Sequence, residues 1–183
     1  MIVIELARAK KGALNMASAG PGSQSHLAGA LLLSLGKFDS LHVPFKGGAA
    51  VPSVMTGESH WSINPAPSVI GMLKGGQVRP LAVAAARRLP ALPDVPTAAE
   101  AGMRGYESAA WFAFLAPRAT PRPIIERLHK EIAAAIADPA IRARFADLGA
   151  EPINATPEET ARHIGAEIAK WREIIGKAGI KLD

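Results

Sequence analysis

The chain contains no cysteine, which excludes disulfide staples, thiolate nucleophiles and thiolate metal sites and leaves either redox compartment open. It also lacks an apolar run of membrane length. Leu27 to Leu35 is broken only by Ser34, whereas a spanning helix needs about 20 such residues. That run has the length of a signal-peptide core, but Arg8, Lys10 and Lys11 lie far upstream of it across a glycine-rich stretch. It therefore reads as a folded helix, and no export signal is expected in the chain as given. The histidines His26, His42, His60, His129 and His163 share no H-x-x-x-H or H-E-x-x-H spacing, so no metal site is readable and no cofactor is expected. Charge is scarce between residues 12 and 78, where Lys37, Lys46 and Lys74 face only Asp39 and Glu58. The net charge of +5 thus forms no basic stripe, and no nucleic-acid partner is expected.

What remains is ordinary globular material. The 183 residues, 49% hydrophobic, suffice for one large domain or two small ones with a sizeable core. Short apolar runs alternate with helical patterns. Strands are predicted at Leu14–Ala17, Leu41–Phe45, Trp61–Ile63 and Leu81–Ala84, with helices from about Ser23, at Ala49–Thr56 and at Ser68–Leu73. This alternation argues for an α/β sheet with much parallel pairing. Glycines at 36, 57 and 75 are expected to stop the helices.

Residues 87–106 carry three prolines and two glycines and read as a connector, with Thr97 and Glu100 placed to cap one short helix. Trp111–Leu115 reads as a buried strand. Helices then open at Thr120-Pro121, Asp138-Pro139 and the Thr156-Pro157-Glu158-Glu159 capping box. Three amphipathic helices with one obvious strand have too little sheet to cover them.

The stretch SAGPGSQSHLAG, residues 18–29, joins a strand to a helix. Such a turn collects backbone N–H groups and the positive end of the helix dipole in one concavity, which suits a carboxylate or phosphate. Ser18, Gly20, Gly22 and Ser23 are the candidates for that contact, although a serine at a helix start equally serves as a plain cap. The stretch lacks the third glycine of a dinucleotide fingerprint and the Gly-Lys-Ser/Thr of a P-loop. It is not a G-x-S-x-G elbow either, so a small hydrolase using Ser23 or Ser25 with His26 has only sequence proximity behind it. His26 reads better as a partly buried structural residue. His42-Val43-Pro44-Phe45-Lys46-Gly47-Gly48 repeats the pattern, placing Lys46, Gly47 and Gly48 beside the first loop at the carboxyl edge of the sheet, where open α/β sheets bind ligands. Asn64 ends a third strand, with a side-chain amide free for a ligand or for an Asx turn.

Together, ASAGPGSQSHLAG, HVPFKGG, GGQVRPLAV, LPDVPTAAEAG, the Trp111 segment running into Ala116-Pro117 and Thr120-Pro121, and the closing AGIKLD resemble one family along almost the whole chain. It is the Bug family, the extracytoplasmic solute receptors of tripartite tricarboxylate transporters. The resemblance implies a type II periplasmic-binding-protein fold that closes around a small carboxylate (a di- or tricarboxylate, an amino acid or an aromatic acid) and does no chemistry on it. It also implies membrane transporter subunits as partners and a periplasmic location.

By the same resemblance residues 1–108 form the complete second, ligand-binding lobe and residues 109–183 the C-terminal part of the first. The family's N-terminal segment, with its export signal and first-lobe strands, is expected to be absent; the chain alone is then expected to bind carboxylates poorly and to self-associate through the incomplete lobe, and a non-functional receptor fragment is the alternative to a working receptor. The chain departs from the family pattern at Gly57-Glu58-Ser59-His60, where Gly-x-x-Asp is usual, and at Phe45, where tyrosine is usual.

Overall fold

The computed structural model describes residues 2–9 and 12–178. Met1, Lys10, Lys11 and all but the first residue of the closing AGIKLD lie outside the described residues.

Helix α1, Ile2–Ala9, precedes strand β1, Asn15–Ser18, which leads into helix α2, Gln24–Gly36. Strand β2, Leu41–Pro44, is followed by a 3-10 turn at Gly47–Ala49 and helix α3, Ala50–Met55, and strand β3, Trp61–Ser62, by helix α4, Ala66–Lys74. The three strands form one sheet in the order β2-β1-β3, and both pairings are parallel. The predicted parallel α/β arrangement is thus present. All three carboxyl ends open on the same edge.

The central strand β1 is buried on both faces, at Met16, Ala17 and Ser18. Met16 of β1 points into a core built with Val3, Ile4 and Ala7 of α1, Leu32 of α2, Trp61 of β3 and, from the connector, Ala98, Met103 and Tyr106. The connector is therefore part of the wall of this core. The Tyr106 hydroxyl donates to the Ala28 carbonyl at 3.0 Å, tying the connector to α2, and burial pushes its pKa well above the usual phenol range. Thr97 and Glu100 make reciprocal backbone–side-chain bonds at 2.7 and 3.1 Å, but they close a turn, with no helix after them. Gly102 at φ 95° breaks off the chain direction after a single turn.

Other expectations are also corrected. Leu81–Ala84 forms no ladder: Val83 makes an isolated parallel bridge to Thr97, because Pro96 beside it has no N–H to extend the pairing. At the end of α2 the left-handed residue is Lys37, at φ 50°, not Gly36. After α4 it is Gly76, at φ 66°, not Gly75.

The largest difference concerns Trp111–Leu115. This segment lies outside any strand, with Phe112, Phe114 and Leu115 exposed at 81%, 82% and 78%. Among the described residues nothing pairs with its backbone, so its apolar side chains have no layer to enter. Beyond it run α5, Arg122–Ala137, α6, Pro139–Asp147, and α7, Pro157–Ala178. The caps of α6 and α7 are as predicted: Asp138 accepts from the Ala140 and Ile141 amides, and Thr156 and Glu159 form the reciprocal box, whereas α5 starts after Pro121 with no side-chain cap. Yet α5 and α6 bury no residue fully. Trp111 Nε1 donates to Glu167 on α7 at 3.4 Å, and its ring meets His163 edge-on at 5.0 Å.

One contact between helix and sheet allows little variation. A Cβ on Gly29 in α2 would lie 2.0 Å from the Met16 sulfur, and Met16 is only 1% exposed, so the thioether would have to shift within the packed core. Helix propensity alone favours Gly29→Ala by about 1 kcal/mol. Overpacking should reverse the sign, giving a net loss of about 1–3 kcal/mol in chemical denaturation, and that loss should shrink when Gly29→Ala is measured in a Met16→Ala background, whose own truncation costs about 2–5 kcal/mol.

Candidate binding site

The sheet edge sets the geometry. Ser18 ends β1, and its carbonyl accepts from the Phe45 amide at 2.8 Å, which carries the pairing one residue past the end of β2 and fixes the two following loops side by side. Gly20 has φ 113°, and a Cβ there would make only an ordinary contact, 3.5 Å, with the Phe45 carbonyl oxygen. The backbone conformation, in the left-handed range, is the stronger reason for glycine.

The loop is held by its own hydrogen bonds. Ser18 Oγ accepts from the Gly20 amide at 3.1 Å and lies 2.6 Å from His42 Nε2. Ser25 Oγ accepts from the Ala19 amide at 2.9 Å, and His26 Nδ1 from the Gly22 amide at 3.1 Å. The Ser23 amide and hydroxyl both donate to the Gly20 carbonyl, at 3.2 and 2.6 Å, and Ser23 Oγ caps α2 by accepting from the His26 amide at 3.2 Å. The amides of Ala19, Gly20, Gly22 and Ser23 are therefore engaged within the loop. Those of Gln24 and Ser25, in the first turn of α2, have no intrahelical acceptor by position. The donors available to an anion sit one turn further on than the glycine pattern suggests.

A cavity of about 540 Å³ opens beside this turn. Its polar side chains are Ser23, Gln24, Ser25, Asn64 and Ser68. Gly47 and Gly48 form the floor contributed by the second loop, while Val51, Pro65, Pro67, Met72 and Phe112 supply apolar wall. Ser23, Gly47, Gly48 and Asn64 of the sequence candidates are thus brought together. Ser18, Gly20, Gly22 and Lys46 stand outside this lining: Ser18 is 0% exposed inside the sheet, and Lys46 is exposed to solvent. Asn64 Nδ2 donates to Ser62 Oγ at 2.7 Å, which leaves its second N–H and its carbonyl for other partners. Gln24 Nε2 reaches the Ser108 carbonyl and hydroxyl at 3.3 and 3.4 Å.

Gln24, Val51, Met72 and Phe112 were not readable as site residues. Each is ordinary helix or apolar material in sequence, and Phe112 reaches the cavity from a distant segment. At the departure from the family pattern, His60 Nδ1 accepts from the Asn15 amide at 2.9 Å while its own amide donates to the Asn15 carbonyl at 3.0 Å. That residue clamps the start of β3 to β1.

Hydrolytic geometry is not assembled. His26 is bonded to the Gly22 amide, and Ser23 and Ser25 are bonded to loop backbone. The serine–imidazole contact that does form, Ser18 to His42, is buried out of a substrate's reach.

A parallel sheet with a cavity at the carboxyl ends of its strands is the geometry in which open α/β folds bind ligands. Residues 2–180 match the model of the tripartite tricarboxylate transporter family receptor, and the chain belongs to that family. It is 37% identical over 94% of its length to the UPF0065 protein in the tcbD-tcbE intergenic region of Pseudomonas sp. (strain P51), of which it covers 52%. It is 34% identical over 98% of its length to Protein BugT of Bordetella pertussis, covering 56%. The chain therefore spans about half the length of these curated relatives.

Among solved structures it is similar to R. palustris Rpa4515 with adipate, with TM-score 0.93, 36% identity, and coverage of 97% of this chain and 60% of that one. It is also similar to the periplasmic binding protein BugD, with TM-score 0.88, 30% identity, and coverage of 98% and 61%. A third is MatC (Rpa3494) from Rhodopseudomonas palustris with bound malate, with TM-score 0.86, 34% identity, and coverage of 94% and 60%. The fold is that of periplasmic binding proteins, and the family and these neighbours are solute-binding proteins rather than enzymes. No helix among the described residues is long and apolar enough to cross a membrane.

A titratable pair, His26 at the start of α2 and His42 in β2, flanks the loop. His26 and His42 stack face to face, with centroids 4.0 Å apart and planes 2° from parallel. Burial lowers the pKa of His26 below its ordinary 6.5; burial and, second, the charge of His26 lower that of His42. The folded state thus favours the neutral rings, and the unfolded chain takes up protons first as pH falls. This contribution to stability is full above about pH 6.5 and is lost below it until the folded values are passed. The denaturation midpoint should therefore drop between about pH 7.5 and 5.5, His26→Gln should flatten that drop, and an NMR titration should find both imidazoles below 6.5.

Proposed function

We propose that the chain is a periplasmic receptor that captures a small carboxylate for the membrane subunits of a tripartite tricarboxylate transporter. The observation that carries this reading is the cavity at the shared carboxyl edge of three parallel strands, with the first turn of α2 and the amide of Asn64 on its polar side. A carboxylate there accepts from neutral donors at the positive end of a helix dipole. The adipate and malate bound by two structural neighbours belong to the same chemical class.

We also propose that residues 1–108 act as one lobe and residues 109–183 as part of a second. The core containing β1, β3 and α2 takes its last member from Tyr106, which supports a boundary just beyond it. Phe114 and Leu115, exposed at 82% and 78%, are the proposed self-association surface.

Calorimetric titration with a panel of small carboxylates at neutral pH tests the receptor reading. Saturable binding is expected, and no heat with any member would overturn it. Gly48 lines the cavity and has open space where a Cβ would stand, so Gly48→Leu should weaken binding at least about tenfold with little change in thermal midpoint. Sedimentation should show concentration-dependent association of the unmodified chain, reduced by Phe114→Ser with Leu115→Ser.

A further inference from the structure

Phe112 enters the cavity from outside the sheet, so its position there depends on how its own segment is held. Two pins hold it. Ser108, earlier in the segment, donates its amide to the Ala84 carbonyl at 3.0 Å and receives the Gln24 side-chain amide on its carbonyl and hydroxyl. Trp111, the residue immediately before Phe112, donates its indole N–H to Glu167 on α7 at 3.4 Å, and its ring meets His163 edge-on. Consecutive Cα atoms are about 3.8 Å apart, so fixing Trp111 confines where the Phe112 ring can go.

Glu167 has the features of an anchor. It lies one helical turn from His163, on the same face of α7, so the two grip the N–H and the ring of one indole. Glu167 Oε2 also accepts from Trp171 Nε1 at 3.0 Å, and its Oε1 accepts from Lys170 Nζ at 3.1 Å. The side chain is only 16% exposed. Burial pushes its pKa up, but the bonds from Lys170, Trp171 and Trp111 outweigh that and hold it below the ordinary carboxylate value. When ionised it is an acceptor only, and it can take all three donors at once. The helix that carries it also packs against α2, whose first turn forms the polar end of the cavity. Helix α7 is therefore in contact with the helix of the polar end and, through Glu167, with the segment of Phe112.

We propose that Glu167 is a positioning residue for the binding cavity: through Trp111 it sets where Phe112 stands relative to the start of α2. Its effect on ligand affinity rests on the receptor reading above, whereas the placement of Phe112 does not.

Because the chain has no cysteine, Phe112→Cys gives a single attachment point for a nitroxide label whose mobility is read by electron spin resonance. The label should gain mobility in Glu167→Ala and in Trp111→Phe, which removes the indole N–H. It should keep the parent's mobility in Glu167→Gln, which retains an acceptor oxygen. A label at Met55→Cys, exposed on α3, should not respond, which separates release of the segment from loss of the fold; if Glu167→Ala unfolds, Trp111→Phe decides. No gain in mobility at position 112 in Trp111→Phe would overturn the inference. In calorimetry with adipate and malate, Glu167→Ala should weaken binding several-fold in the parent and little in a Phe112→Ala background. Equal loss in both backgrounds, or none in either, would also overturn it. Absence of heat with both acids would count against the receptor reading and leave the anchor to the label measurement, which needs no ligand.

Discussion

The parallel pairing of β1 with a strand on each side is the constraint on which the rest depends. Because β2 and β3 both run with β1, the chain must cross back over the sheet after each strand, and the three strand-ending loops meet at one edge. The Phe45 amide on the Ser18 carbonyl continues the ladder into the loops themselves. The cavity is therefore a consequence of topology, which brings the start of α2 and the Asn64 side chain to the same edge.

The glycine-rich loop uses that position in a particular way. Its amides are bonded to its own serines, to Gly20 and to His26, so it acts as a rigid bracket that aims the start of α2 at the cavity. Glycine here serves the path of the backbone more than direct contact with a ligand. The histidine pair belongs to the same bracket: His26 accepts from Gly22, His42 meets Ser18, and the two rings stack. Keeping these rings neutral keeps the acceptors that the loop requires. The chemistry that the site offers is binding by neutral donors in a cavity with a largely apolar wall.

The second part of the chain stands in a different energetic state. Two of its helices, α6 and α7, have side-chain caps, worth about 1 kcal/mol each, yet α5 and α6 bury no residue fully and the aromatic segment before them is exposed. Local signals are sufficient to define where helices begin. They do not supply a layer for an apolar face to pack against, and burial of such faces is where most helical stability in proteins arises. Phe112 joins the two parts, since it comes from the exposed segment and completes the cavity.

The sequence by itself determined the elements whose signals are local. The caps at Ser23, Asp138 and Thr156 mark helix starts, and the alternation through residue 74 indicates a parallel α/β sheet, because periodicity and capping are properties of neighbouring residues. The family could be read from motifs spread along nearly the whole chain. Only the tertiary structure decided which polar groups remain free, because whether the Gly20 amide meets a ligand or Ser18 depends on how the loop closes on itself. It likewise decided that Trp111–Leu115 forms no strand, since a strand exists only where another backbone lies beside it to take its hydrogen bonds. The apolar wall was hidden for the same reason. Val51, Met72 and Phe112 are far apart in the chain, and their joint exposure to one cavity follows from packing that no local pattern records.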